Sequence, residues 1–487
     1  AGGRPEPAAA ERLDVKRLAL ALRALAASDA GKGAAEALVA ECAAHVGEFP
    51  PRSLAVACAA LARLGGPSAR DALGAFASTA TERLGRQPET FNEQDISNIA
   101  NALARARLRS APFFAQLSAF LEGQFHLAAF FTSQGLANTL NAYAALDMEL
   151  TRPLRDAFAA AAREHAASFS APQLANALNS LARLHLREAL AGDPVPWHVA
   201  VRGHLSGFSV QGLSNIFNAY ARLQVFEERL LVEAAEQLVG RMPEDFGEQE
   251  VANVLNACAR LGFECGFLVR FLEGLALERL LPIFTSQGLA NTALAISRLP
   301  YGPQTVLPLA QECLKRSAPT SGPRGAGWQE PHHVVNVAFA FAFFGMRVQA
   351  AAAGWHDRLL ATLLRALLRL LGPSCGSRWG GRAAAASMAL SAESVSQLYA
   401  VLSDRILQRR GVIVQWSLGD LSVFSTSMEL CDPDMLLKAF GEGLKASQNV
   451  ERSQLHREVS ATAAPLHPAA ALVVEEAFVA PYMVDTL

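Results

Sequence analysis

Apolar positions in the middle of the chain follow a helical period and recur in blocks. Around residue 140, three apolar side chains fall on one side of a helical wheel: Leu136, Leu140 and Tyr143. Polar side chains fall on the opposite side: Gln134, Asn138 and Asn141. The pattern therefore predicts an amphipathic helix with one buried face and one polar face.

Six such blocks follow one another, and each opens with a phenylalanine. These residues lie 40, 38, 39, 38 and 38 positions apart: Phe91, Phe131, Phe169, Phe208, Phe246 and Phe284. A Ser or Thr follows the Phe in four blocks and is a natural helix N-cap: Thr132, Ser170, Ser209 and Thr285. A second amphipathic stretch closes each block, for example residues 149–167 and 226–241.

Two helices in about 38–40 residues predict a helical hairpin. One hairpin cannot bury its own apolar face, so the copies must stack. We therefore predict an all-α fold, a right-handed α-solenoid with a short C-terminal segment of α/β character. The predicted regions are a degenerate N-terminal repeat or cap (1–48), regular repeats (49–313), a loop (314–331), degenerate repeats (332–450) and the C-terminal segment (451–487).

The polar face of the first helix in each block is a Gln–Asn–Asn–Arg stripe at spacing i, i+4, i+7 and i+11. Its Asn pairs are Asn98 and Asn101, Asn138 and Asn141, Asn176 and Asn179, Asn215 and Asn218, and Asn253 and Asn256. Its Arg row is Arg63, Arg105, Arg183, Arg222, Arg260 and Arg298. Identical Asn pairs cannot encode a one-base-per-repeat code. We therefore predict that the Asn side chains form a polar ladder of hydrogen bonds between repeats, and that the Arg row is the candidate RNA-binding surface.

The charge of the chain limits the classes of partner that it is expected to bind. The formal net charge is −2, and only five of the 43 basic residues are lysine. This balance argues against a general nucleic-acid binder but allows a local arginine stripe. The loop 314–331 is glycine- and proline-rich and holds Trp328. It is either a simple connection or a second RNA contact made through arginine and a stacking ring.

Other classes of function lack a sequence signature. The seven cysteines include no C-x-x-C pair, and no catalytic or phosphate-loop motif occurs. We therefore predict no cofactor, no metal, no catalytic residue and no small-molecule substrate. No run of 18 charge-free apolar residues occurs, so no membrane span is predicted.

The unit F-[ST]-x-Q-x-L-A-N-x-x-N-A-x-A-R-L resembles the octotricopeptide and heptatricopeptide repeats of organelle RNA-binding proteins of the FAST-kinase-like, RAP-domain family. The segment from Ser453 onward resembles the start of a RAP domain, with Asp485 at the start of its core. The resemblance implies a non-enzymatic protein of the mitochondrial matrix, or alternatively the plastid. It would bind organellar rRNA or mRNA in RNA metabolism or ribosome assembly. One rival is a structural subunit of a large complex such as a mitochondrial ribosome, and another is a RAP-type nuclease using Asp485.

Overall fold

The computed structural model of the chain describes residues 14–27, 32–124, 126–190, 194–299, 303–317, 327–347 and 353–371. It also describes the helical positions 394, 397, 398 and 401 and the strand residues 477–479 and 482–484. The chain divides into two compact units, Ala1–Arg241 and Met242–Leu487. Asp485 and most of the predicted degenerate repeats after residue 371 lie outside the described residues.

Unit 1 consists of helices joined by short turns. Its helices are α1 Val15–Leu25, α2 Lys32–Ala44, α3 Pro51–Leu64, α4 Pro67–Arg86, α5 Glu93–Arg105, α6 Ala111–Glu122, α7 Leu127–Phe130, α8 Ser133–Ala145, α9 Arg152–Glu164, α10 Ala171–Arg183, α11 Val195–Gly203, α12 Val210–Leu223 and α13 Glu228–Val239. The predicted second helices at 149–167 and 226–241 are confirmed as α9 and α13.

The helices of unit 1 form two layers. One layer contains the first helix of each hairpin, and its members pack in chain order: α1, α3, α5, α8, α10 and α12. We call it the first-helix layer. The second helices follow the same order, with α4 packed on α2 and α6, and α13 packed on α11. Each helix thus contacts its neighbours in the next repeats, which confirms the predicted solenoid.

Unit 2 repeats this arrangement with fewer hairpins. Its helices are α14 Glu248–Leu261, α15 Gly266–Leu275, α16 Ser286–Arg298, α17 Pro303–Ser317, α18 Pro331–Arg347 and α19 Ala353–Leu371. A π-helical turn, Ala276–Leu280, extends α15. The first helices α14, α16 and α18 pack in order, and α19 packs on α17 and α18. Near the C-terminus, β1 Ala477–Val479 pairs antiparallel with β2 Tyr482–Val484, with Phe478 opposite Met483.

Each repeat begins with the same local structure. A single helical turn precedes the repeat phenylalanine, as at Leu205–Gly207 before Phe208. The phenylalanine is buried, and its neighbour Ser209 caps the first helix by accepting a hydrogen bond from the Gly212 amide at 3.1 Å. Thr132 and Thr285 cap their helices in the same way, so the predicted capping hydrogen bond is confirmed at three of the four positions. At the fourth, Ser170 is the N-cap residue of α10, and its amide donates to the Gln173 side chain at 3.0 Å.

Five of the described first helices also end alike: α5, α8, α10, α12 and α14. A left-handed residue follows the helix, and the next amide donates to the carbonyl five residues back, as in a Schellman motif. Leu186 donates to Leu181 at 2.8 Å, for instance. Only the last of the five left-handed residues is glycine: Arg107, Asp147, His185, Gln224 and Gly262. Because four of these five residues are not glycine, the sequence alone does not reveal this type of turn.

Candidate functional site

The predicted Arg row lies on the solvent side of the first-helix layers. All six arginines are exposed, and each stands in the last turn of its helix. Arg63, Arg105 and Arg183 of unit 1 make no ion pair or side-chain hydrogen bond with any described residue. A positive charge near a helix C-terminus contributes only roughly 0.3–1 kcal/mol to stability. These guanidinium groups therefore contribute little to the stability of the fold.

The Asn pairs lie beside this row and are recessed. Nine of the ten side chains are half-buried, and Asn176 is exposed. None of the ten carboxamides forms a hydrogen bond with another described residue. The predicted ladder depended on such bonds, and the described ranges do not contain them. Half-buried amides still reach water, which removes the cost of leaving them unpaired in the interior.

Other residues make the hydrogen bonds that join neighbouring repeats. The carboxylate of Glu93, at the start of α5, accepts from the hydroxyl of Thr132, the N-cap of α8, at 3.2 Å. In unit 2, Glu248 accepts from the Thr285 amide at the same place. Gly135 leaves room for the Glu93 carboxylate, because an added Cβ would overlap it. The connection between repeats therefore lies at the helix N-termini.

A second set of connections is made by arginines of the other layer. Arg70 of α4 donates to the carbonyl of Arg107 at 3.1 Å, at the end of the next first helix. Arg155 of α9 donates to the carbonyl of His185 at 2.7 Å. These guanidinium groups satisfy carbonyls that the left-handed turn leaves exposed.

A third set of arginines closes three of the described hairpins, each within its own repeat. They donate to the carbonyl of the phenylalanine that opens their own repeat: Arg83 to Phe49, Arg241 to Phe208 and Arg316 to Phe284. Each lies 32 to 34 residues after that phenylalanine. These arginines were not among the predicted site residues, although their spacing from the repeat phenylalanine recurs along the sequence. Much of the arginine content is thus structural.

The outward face of unit 1 has a simple charge pattern. Five first helices contribute its stripe positions, and none of these is acidic: Arg52, Val56, Ala59 and Arg63; Gln94, Asn98, Asn101 and Arg105; Gln134, Asn138, Asn141 and Ala145; Pro172, Asn176, Asn179 and Arg183; Gln211, Asn215, Asn218 and Arg222. We call these positions the polar stripe of unit 1. Its positive charges therefore have no counter-charge within the stripe.

The stripe changes along unit 2. Helix α14 has the full set, with Asn253 and Asn256 half-buried and Arg260 exposed. In α16 the second Asn position is Leu294, which is buried. The carboxamide pairs are therefore concentrated in α5, α8, α10 and α12 of unit 1 and α14 of unit 2.

Of the two alternatives for the loop 314–331, RNA contact through a stacking ring does not agree with the position of Trp328. Trp328 is buried, and its indole nitrogen donates to the Ser317 hydroxyl at 2.8 Å. Helix α17 continues to Ser317, beyond the predicted start of the loop. Trp328 precedes α18 as the repeat phenylalanines precede their helices, so the ring fills a core position and cannot stack on a base.

Reactive and metal-binding groups are scarce in the described ranges. Burial raises the pKa of the Cys58 thiol to about 12 and also raises the pKa of Cys313, so neither is a nucleophile near neutral pH. No three His, Cys, Asp or Glu side chains of the described residues cluster as a metal site. Among the same residues, no helix combines the length and hydropathy that crossing a bilayer requires.

Comparisons with known proteins add little. No family model matches the sequence, and no curated protein matches it. Among solved structures, the chain is similar to a chain of a homology model of the full-length AP-3 complex in an intermediate open conformation. The match covers 86% of this chain and 80% of that chain, with 10% identity and a TM-score of 0.31. A TM-score this low supports no conclusion about function.

Proposed function

We propose that the polar stripe of unit 1 binds RNA. The observation that carries the proposal is a set of recurring side chains that the fold leaves unused. The repeat phenylalanines fill the core, the Ser and Thr residues cap helices, and a separate set of arginines joins the repeats. Among the described residues, the Asn pairs and Arg63, Arg105, Arg183 and Arg260 recur without a side-chain hydrogen bond or ion pair, whereas Arg222 and Arg298 make further contacts.

The chemistry of the stripe suits a phosphate backbone. Guanidinium groups bind phosphate through two parallel hydrogen bonds, and they are less strongly hydrated than ammonium groups. The stripe has no acidic position, although the whole chain has a net charge of −2. Attraction of a polyanion is therefore local to this face.

The cellular role that we propose is organellar. The resemblance of the repeat unit to octotricopeptide and heptatricopeptide repeats supports a protein of the mitochondrial matrix, with the plastid as the alternative. Binding of rRNA or mRNA there would serve RNA metabolism or ribosome assembly without a catalytic step. Imaging of the tagged protein in its own cells tests the location, and a cytosolic or nuclear signal alone would contradict it.

The direct test is RNA binding by the full chain as a function of salt. Each phosphate contact in single-stranded RNA contributes about 0.7 to the slope of log affinity against log salt. The double variant Arg105→Ala/Arg183→Ala should reduce the slope by about 1.4 and weaken binding at low salt by about tenfold or more. Arg152→Ala is the matched control, because Arg152 is exposed at the start of α9 in the other layer.

Three results would reject the proposal. They are no measurable RNA affinity at low salt, equal losses in the double variant and the control, and a salt slope near zero. Circular dichroism of each variant separates lost binding from lost fold, and exposed arginines without partners should leave the helical signal unchanged.

One observation favours a protein-binding role in a large complex as second candidate. Val195 and Val199, one turn apart on α11, are 57% and 61% exposed. Paired exposed apolar side chains are typical of protein contacts. Val195→Asp/Val199→Asp should then abolish copurification with a native complex and leave RNA affinity unchanged. Retention in the complex would remove this candidate.

A further inference from the structure

We infer that the Asn pairs of unit 1 contact the ribose 2′-hydroxyls of bound RNA. The site would then distinguish RNA from DNA without reading the base sequence. This inference rests on the proposed RNA-binding function, and it concerns the Asn pairs of α5, α8, α10 and α12.

The position of the carboxamides limits which groups reach them. In α5, the half-buried Asn98 and Asn101 lie between the exposed Gln94 and Arg105. The same order occurs in α12. An RNA strand held by the arginines therefore lies over the recessed amides. These amides then contact the part of the RNA next to a bound phosphate.

The chemistry of a carboxamide limits the partner further. An Asn side chain offers both a donor and an acceptor, whereas a phosphate oxygen only accepts. The Arg row already supplies charge for the phosphates, and a neutral amide adds no long-range attraction. In an RNA strand, the backbone group that both donates and accepts is the 2′-hydroxyl, and DNA lacks it.

The repetition of the Asn pair favours contact with the sugar over contact with the base. The same Asn pair stands in four successive first helices of unit 1. Bases change along a natural RNA, so an unchanged pair cannot select a different base at each repeat. The sugar recurs at every nucleotide and matches an unchanged pair. We therefore expect contact with the backbone at every repeat.

The experiment compares ligands on the unmodified full chain by fluorescence anisotropy. The probes are a single-stranded RNA, a DNA of the same sequence, the 2′-O-methyl form of the RNA, and an RNA of shuffled sequence. One neutral hydrogen bond per repeat, even with partial occupancy, should favour RNA over DNA by about tenfold or more. The 2′-O-methyl strand, which cannot donate, should bind several-fold more weakly than RNA, and the shuffled RNA should bind within about twofold.

Variants assign the discrimination to the carboxamides. Asn101→Ala/Asn218→Ala should reduce the RNA-to-DNA ratio by about threefold or more while leaving DNA affinity unchanged. Arg105→Ala is the matched control, and it should weaken RNA and DNA by the same factor. The ligand comparison uses the unmodified chain, so a poorly folded variant does not prevent the test.

The outcomes separate the inference from the proposed function. Equal, tight and salt-dependent binding of RNA and DNA would reject the 2′-hydroxyl contact and leave nucleic-acid binding intact. A tenfold difference between the original and shuffled RNA would also reject it, because bases would then be read. No binding of any strand would reject the proposed function itself.

Discussion

Replacing Arg107 by glycine should stabilise unit 1, although arginine is the better helix former. Arg107 has a φ of +49°, at the left-handed position after α5. A left-handed conformation costs an L-residue roughly 1–2 kcal/mol, of which the greater unfolded freedom of glycine offsets roughly 0.5–1. The Arg107 side chain is exposed and makes no hydrogen bond with a described residue. Its carbonyl remains available to Arg70, so the net gain should be about 0.5–1 kcal/mol.

The matched control is the preceding residue. Ala106 has a right-handed φ of −77°, where Ala106→Gly should destabilise by about 0.5 kcal/mol. Thermal unfolding followed by circular dichroism should show Arg107→Gly raising the midpoint of unit 1 by about 1–4 °C and Ala106→Gly lowering it. Hydrogen exchange of α5 locates the change. If both variants destabilise equally, the left-handed turn is not the cause and the argument fails.

Three further predictions concern the hairpin clamp, the Arg row and pH. Arg83→Ala removes both donors to the carbonyls of Gly47 and Phe49 and should destabilise unit 1 by about 1–2 kcal/mol in urea unfolding. Arg86→Ala is the control and should destabilise it by about 0–0.5 kcal/mol, because the one partner of Arg86 among the described residues is the exposed Glu82. Equal losses would contradict the clamp. Ala145→Arg fills the one gap in the Arg row of unit 1 and should raise the RNA salt slope by about 0.7, whereas an unchanged slope would place RNA elsewhere. Burial lowers the pKa of His333 below its ordinary 6.5, so the folded state binds this proton less tightly than the unfolded chain does. The free energy of unfolding should therefore fall as the pH drops below 6.5. His333→Phe should reduce this fall in unfolding curves measured as a function of pH.

The sequence predicted the repeat because its signals are local. The N-caps Thr132 and Ser209 depend on atoms within three residues, and the buried phenylalanines recur at a fixed spacing. Both follow from helix chemistry without knowledge of the tertiary contacts.

The roles of individual arginines could not be predicted in this way. Arg183 and Arg163 are both in the last turn of a helix, yet Arg183 is exposed without a described partner and Arg163 donates to the Ala189 carbonyl at 3.3 Å. The difference depends on which layer each helix occupies and which carbonyl lies opposite. Trp328 shows the same limit, because a tryptophan in glycine-rich sequence looks like loop but fills the core.

The connection at the helix N-termini has a consequence for how such a chain can grow. The Glu93 carboxylate and the Thr132 hydroxyl that it accepts from are 39 residues apart, about one repeat length. A tandem duplication of residues 93–132 would therefore copy the acceptor and the donor together. The new block would fit between its neighbours without any compensating change. Gene duplication could thus lengthen this array one block at a time, and each added block would lengthen the polar stripe by one more Asn pair.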